Sequence, residues 1–265
     1  MNEMTKIENI QTGDDLERCP FPIPYGWYCV QYSHEIAKGE IKNERVFGKE
    51  WVLFRGEDGK VGMTDPYCPH LGAHLGHGGK VVDGNIQCPF HNWEFDTEGW
   101  CKKIPYGKVM PGVARKKPIL QALPVVEKYG MIFAWYHPEG VEPMWEIPTV
   151  PEFEDQDNHV EIKYHSWDVG TCIQEIAENG VDTPHIHFLH KAPMIPSVDC
   201  QWDGYKWQAD IMKGYIWSTS HGVGISETRH SKEGVDMLMF ATSAPIDKEN
   251  TRMRMAFAWK KYPEG

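Results

Sequence analysis

YCPHLGAHLGHGGKVVDGNIQCPFHNW, residues 67–93, sets a C-x-H pair seventeen residues ahead of a C-x-x-H pair. Each pair offers one thiolate and one imidazole: Cys68 with His70, and Cys88 with His91. Two thiolates can hold one iron of a 2Fe–2S cluster while two neutral imidazoles hold the other. Replacing anionic ligands by neutral ones raises the reduction potential above that of an all-cysteine cluster. Gly72, Gly76, Gly78 and Gly79 permit tight loops in which backbone N–H groups approach the sulfurs. Structural zinc is the competing reading, but zinc sites space their ligands as C-x₂₋₄-C with a distant second pair. Here a single residue separates Cys68 from His70, and a proline (Pro69, Pro89) follows each cysteine, as suits two matching cluster-binding loops. His74 and His77 read as loop residues rather than ligands.

Outward from this stretch, residues 25–140 carry short apolar runs broken by Gly and Pro, among them WYCV (27–30), WVLF (51–54), KVGMTD (60–65), NIQC (85–88) and MIFAWY (131–136). That pattern predicts a small all-β domain. Residues 1–24 read as an extended lead-in, and 138–155, dense in Pro and acids, as a connector. The texture then changes. HVEIKYHSW (159–167) predicts a strand and VGTCIQEIAENGV (169–181) a helix. Alternating segments follow at 205–220, 235–245 and 251–261, the pattern of a sizeable antiparallel sheet with a helix against it. The expected fold is therefore α+β, with a second domain over 141–265. Met237, Met239 and Ala241 share one strand face, as do Met253, Met255, Phe257 and Trp259, a face that either fills a core or lines an apolar cavity. Asp247, in APIDKEN, reads as a hairpin turn.

Composition bounds the function classes. The net charge of −11, with no cluster of Lys and Arg, disfavours nucleic acid as a partner. No apolar run approaches the ~20 residues of a membrane span, and the first nineteen residues lack an apolar signal core. A cytoplasmic location is expected. The seven cysteines are odd in number and scattered, a poor disulfide framework.

A second motif lies in ENGVDTPHIHFLH, residues 178–190: N-x-x-D-x-x-H-x-x-x-x-H, formed by Asn179, Asp182, His185 and His190. Two histidines and a carboxylate with open positions make the facial triad of mononuclear Fe(II) oxygenases. Spacing does not choose among the three histidines. On a regular helix His185 and His190 stand ~140° apart, whereas His187 and His190 stand ~60° apart. Pairing His185 with His190 requires irregular backbone such as a π-type turn, and Pro184 makes irregularity reasonable. Asp182 can equally be a helix N-cap.

The first motif, extended through Trp93 and CKKIPYG (101–107), together with the second, resembles the Rieske non-heme iron oxygenase α-subunits, most of all the 3-ketosteroid 9α-hydroxylase and cholesterol 7-desaturase group. The resemblance implies an all-β Rieske domain followed by a helix-grip catalytic domain, and a head-to-tail homotrimer. By it, His185 and His190 bind a mononuclear Fe(II), and His187 points elsewhere. Asp182 links an iron-ligating histidine to a cluster-ligating one from a neighbouring subunit, and Asn179 shapes the turn or sits near the iron. It implies O₂ as co-substrate, an apolar steroid-like substrate that is hydroxylated or desaturated, and a ferredoxin or flavin reductase passing electrons from NAD(P)H. A demethylase, an aromatic-ring oxygenase and an electron-transfer Rieske protein are the alternatives. The family's third ligand, a carboxylate on a downstream helix, matches no residue up to Gly265, so a C-terminal continuation is expected and no third ligand is named.

Overall fold

The computed structural model describes residues 21–232 and 235–261, so most of the expected lead-in lies outside the described residues. The chain opens on β1 (Gly26–Tyr32), β2 (Ile41–Val46), β3 (Lys49–Arg55) and β4 (Val61–Thr64). The cluster motif follows, with β5 (Lys80–Val82), β6 (Asn85–Gln87), β7 (Glu94–Phe95) and β8 (Cys101–Lys103). A single helical turn, α1 (Gly112–Lys116), leads to β9 (Ala122–Leu123), β10 (Val125–Lys128) and β11 (Met131–Tyr136). The connector contributes α2 (Pro151–Glu154) and leads into β12 (His159–Val169), α3 (Ile173–Glu178) and α4 (Thr183–Phe188). Six strands end the chain: β13 (Val198–Asp203), β14 (Lys206–Ile211), β15 (Ile216–His221), β16 (Ile225–Lys232), β17 (Val235–Pro245) and β18 (Thr251–Lys260).

These strands form four antiparallel sheets. Three belong to the first half, in the orders β1-β11-β10, β2-β3-β4-β9 and β5-β6-β7-β8. The fourth is seven-stranded, β12-β18-β17-β16-β15-β14-β13. Two expectations are refined. The helix foreseen over 169–181 is shorter, because β12 runs on to Val169 and the helical turns begin only at Ile173. The alternating segment 205–220 is two strands, divided where Met212, Lys213 and Gly214 all take positive φ and turn the chain back on itself. Asp247 lies in the β17–β18 hairpin turn, where its carboxylate accepts from the backbone N–H groups of Glu249 and Asn250 at 3.0 and 2.9 Å.

The apolar runs WYCV and MIFAWY make sense as strands buried on both faces. One face of β1 and β11 puts Tyr28, Val30, Ile132 and Ala134 into a core with Trp51, Leu53 and Met63. The other face puts Trp27, Cys29, Phe133 and Trp135 into a core with Phe153, Leu238, Phe240 and Ala256. The small three-stranded sheet is thus packed between the sheet that follows it and the back of the seven-stranded sheet. Polar groups fix the same seam. Phe47 and Gly48 donate to the carbonyls of Pro245 and Ile246 at 2.8 and 2.9 Å, and the Tyr32 hydroxyl reaches the His165 carbonyl at 2.6 Å. Arg254, 3% exposed, donates to the Cys29 carbonyl at 2.9 Å and lies over the Tyr32 ring. At Gly224 an added Cβ would stand 2.3 Å from the Trp27 carbonyl oxygen, so only glycine lets the seven-stranded sheet come this close to β1. No helix among the described residues is long and apolar enough to cross a membrane.

Phe240 is fully buried at this seam, 5.5 Å ring to ring from Phe153. Phe240→Ala should cost about 3–5 kcal/mol of stability through the cavity it leaves. Denaturant titration followed by tryptophan fluorescence measures that loss.

Candidate functional site: two histidine-bearing centres

The β5-β6-β7-β8 sheet carries the first centre on two loops of equivalent build. In the first, Cys68 N–H donates to the Ala73 carbonyl at 2.9 Å and Gly72 N–H to the Cys68 carbonyl at 2.9 Å. In the second, Cys88 N–H donates to Trp93 at 2.8 Å and Asn92 N–H to Cys88 at 3.0 Å. The residue four places after each cysteine is left-handed, Gly72 with φ 74° and Asn92 with φ 55°. Glycine and asparagine are the residues that tolerate this conformation. Both cysteines are 2% exposed and sit over a core that includes Val52, Phe54, Leu75, Ile86 and Phe95.

The two loops set Cys68 against Cys88 and His70 against His91. The His70 and His91 rings stand 4.8 Å apart at 69°, and His70 stacks on Trp93 at 4.6 Å. Trp93 in turn donates to the Tyr106 hydroxyl at 2.8 Å. Burial pushes the Cys68 thiol up to about 11, and the adjacent Cys88 adds to the rise, while backbone N–H groups of His70 and Leu71 pull the other way. Two anionic sulfurs side by side in a buried site therefore call for a cationic centre, which deprotonates coordinating thiols. His91 Nδ1 is buried and has no hydrogen-bond partner among the described residues, an orphaned ring nitrogen of the kind a metal satisfies. The donor set and these two features fit a cluster with sulfur ligands inside and imidazoles outside. His74 and His77 pack on each other at 4.2 Å, with His74 also against Tyr67, and they stand outside this group.

The second centre lies on α4 and the turn after it. Pro184 falls in the first turn of α4, and Asp182 occupies the N-cap position without a side-chain cap hydrogen bond. The helix ends irregularly. Leu189 and His190 N–H groups both donate to the His185 carbonyl, at 2.8 and 3.3 Å, the second spanning five residues as in a π-type turn. Lys191 is left-handed at φ 61°. The distortion swings His190 to 5.3 Å from His185, ring to ring. His187 is engaged elsewhere, its Nδ1 lying 2.6 Å from the Ala192 carbonyl oxygen. His185 Nδ1 meets the Asp182 carbonyl, which leaves Nε2 as the free nitrogen. The Asp182 carboxylate is 3.7 Å from the same Nδ1 and 54% exposed. Among the described residues no three His, Cys, Asp or Glu side chains gather around one ion position.

His185, His190 and Asn179 open on a cavity of about 470 Å³ beneath α3 and α4. Met239, Ala241, Met253 and Met255 line it, so the strand face that could fill a core or line a cavity does the latter at these four positions. Sequence reasoning missed Trp207, Ser218, Ser220, Ser226, Thr228 and His230, which line it too. Their signal was present, since Ser218 with Ser220, and Ser226 with Thr228 and His230, recur every second residue on one face of β15 and β16.

This architecture, a small cluster-bearing β lobe packed on a helix-covered antiparallel sheet, is that of a two-domain Rieske protein. Residues 26–122 match the Rieske [2Fe-2S] domain, and residues 134–265 match the 3-ketosteroid 9alpha-hydroxylase C-terminal domain. The chain belongs to the Rieske oxygenase family. It is 40% identical over 207 residues to a cholesterol 7-desaturase of Caenorhabditis elegans, covering 71% of this chain and 47% of that one. It is 37% identical over 188 residues to the oxygenase component of a probable 3-ketosteroid-9-alpha-monooxygenase of Rhodococcus rhodochrous, covering 70% and 45%. The chain thus spans about half the length of the curated relatives it matches. Among solved structures, Pseudomonas putida CBB5 NdmA superposes with a TM-score of 0.73 at 20% identity, over 90% of this chain and 74% of that one. Dicamba monooxygenase bound to dicamba superposes at 0.68 and 20% identity, over 88% and 77%. At that identity the likeness establishes the fold.

Asn92 offers a direct test of the loop geometry. Asn92→Gly should leave the cluster's visible absorbance intact, whereas Asn92→Val, β-branched at positive φ, should reduce it sharply.

Proposed function

We propose that the chain forms the core of the oxygenase component of a Rieske non-heme iron oxygenase that hydroxylates or desaturates an apolar, steroid-like substrate. Cys68, His70, Cys88 and His91 would hold the 2Fe–2S cluster, and His185 and His190 the mononuclear Fe(II). The observation that carries this reading is the His185–His190 pair, 5.3 Å apart, opening on a largely apolar cavity in a chain that also has the cluster loops. A volume of about 470 Å³ falls within the range of small-molecule sites.

When bound, the cluster delivers electrons one at a time and the Fe(II) activates O₂. Around these groups the chain's own residues bind, orient and exclude water. The Asp182 carbonyl fixes the tautomer and orientation of His185. Met239, Met253, Met255 and Trp207 supply the apolar walls that keep a hydrocarbon substrate dry. Asn179, the C-cap of α3, borders the cavity beside His185 and shapes its histidine end. The Asp182 carboxylate has no hydrogen bond or ion pair to His70 or His91 among the described residues, and it faces outward. A bridge from it to a cluster histidine would therefore join two copies of the chain, in keeping with a homotrimer. The electrons would come from a ferredoxin or flavin reductase that draws on NAD(P)H, and the acidic surface suits docking to a basic patch on that partner.

Counting metal in the anaerobically purified natural protein tests the assignment. About three irons and two acid-labile sulfides per chain are expected; two irons would make it an electron carrier. His185→Ala should lose one iron and keep the sulfide, while His187→Ala keeps both. Asp182→Asn should retain all metal yet slow turnover with reductase and O₂ by at least tenfold, roughly the effect of outer-sphere partners.

A further inference from the structure

The cavity is lined by successive cross-strand rows of the seven-stranded sheet. Trp207, Ser220, Ser226, Ala241 and Met255 form one row, each paired with the next. The turn between α3 and α4 sits on this row, for a Cβ on Gly180 would stand 2.9 Å from the Trp207 ring. Ser218, Thr228 and Met239 form the next row, in which the two hydroxyls hydrogen-bond each other at 3.1 Å. Ile211, Ile216 and His230 form the third, and Met237, the next residue in that register, lies outside the cavity lining. His230 is therefore four residues along β16 from Ser226, roughly 13 Å at the rise of a strand.

Among the described residues, His230 is the one titratable side chain lining this cavity apart from the His185–His190 pair. Among the described residues its ring has no hydrogen-bond, ion-pair or ring partner, although it is only partly exposed. Burial holds its pKa below the ordinary histidine value, so near neutral pH it is an uncharged imidazole with one donor and one acceptor nitrogen. Such a group, set beside Ile211 and Ile216, is matched to a neutral oxygen substituent. It can donate to a ketone or accept from a hydroxyl, and among the described residues the lining of this cavity holds no carboxylate, lysine or arginine to match a charged ligand. Ser218 and Thr228, one row nearer the histidine end, spend one of their two hydroxyl protons on each other.

We propose that His230 is the polar anchor of the substrate cavity, hydrogen-bonding a hydroxyl or ketone oxygen at one end of a rigid, otherwise apolar polycyclic substrate. The distance between the first and third rows sets the length of the apolar body, and the anchor sets which carbon is presented at the histidine end. This inference rests on reading the cavity as the substrate site.

The test measures binding by tryptophan fluorescence in the metal-loaded natural protein, with three probes: cholesterol, cholest-4-en-3-one, and the cholestene that lacks the oxygen. The wild type should bind both oxygenated probes about tenfold more tightly than the deoxy probe. His230→Leu should erase that preference and leave deoxy binding unchanged, while His230→Gln, which keeps a donor and an acceptor, restores most of it. An unchanged preference in His230→Leu overturns the anchor. Met239→Trp, which fills the cavity, separates the two levels of inference. If it abolishes binding of every probe, the cavity is the site and the anchor stands or falls on His230→Leu alone. If binding persists, or the wild type binds no probe, the cavity reading fails and the anchor with it.

Discussion

The seven-stranded sheet has to satisfy two different neighbours, and the rest of the molecule follows from how its strands divide their side chains. Successive residues of a strand point to opposite faces. On β17 and β18 one face sends Leu238, Phe240, Ala256 and Ala258 into the core shared with the cluster lobe. The other sends Met239, Ala241, Met253 and Met255 into the cavity. A register slip of one residue would exchange the two sets, putting flexible thioethers into the seam and close-packing groups into the cavity. The hairpin at Asp247 and the long antiparallel pairing of β17 with β18 hold that register.

The same logic of two faces runs through the cluster lobe. Cys68 and Cys88 lie inside, while Leu71 and Phe90, beside the histidines on the two loops, are 66% and 62% exposed. Burial suits sulfur ligands, since low polarity and backbone N–H donors set a cluster's potential. Exposure of the histidine side suits electron exchange with other groups. Stacking of His70 on Trp93 fixes the ring plane at that boundary. The small three-stranded sheet, buried on both faces, ties this lobe to the seven-stranded sheet.

At the second centre a helix is made to end badly on purpose. A regular continuation of α4 would separate His185 from His190 around the helix, and would favour His187 instead. The wide turn at His190 and the left-handed Lys191 re-aim one ring and dispose of the other against the Ala192 carbonyl. Irregular backbone here costs hydrogen-bond geometry and gains convergence of two imidazoles on an apolar cavity.

The sequence by itself determined the cluster loops, because their chemistry is local: a thiol and an imidazole one or two residues apart can serve one centre whatever surrounds them. It also determined the antiparallel sheet of the second half, through period-2 alternation, and the strands WYCV and MIFAWY, but not that each is buried on both faces. It left open which two of three histidines converge, since a helical wheel argues for His187 with His190, and only a turn whose geometry depends on tertiary packing reverses that. It also left open whether Met239 and Met255 fill a core or line a cavity, because alternation assigns a face but not what covers it. His230 and the hydroxyl row were legible as a pattern and silent as to role. Their meaning came only when α3 and α4 were laid across the sheet, leaving a space that local sequence, which specifies surfaces and not the gaps between them, cannot encode.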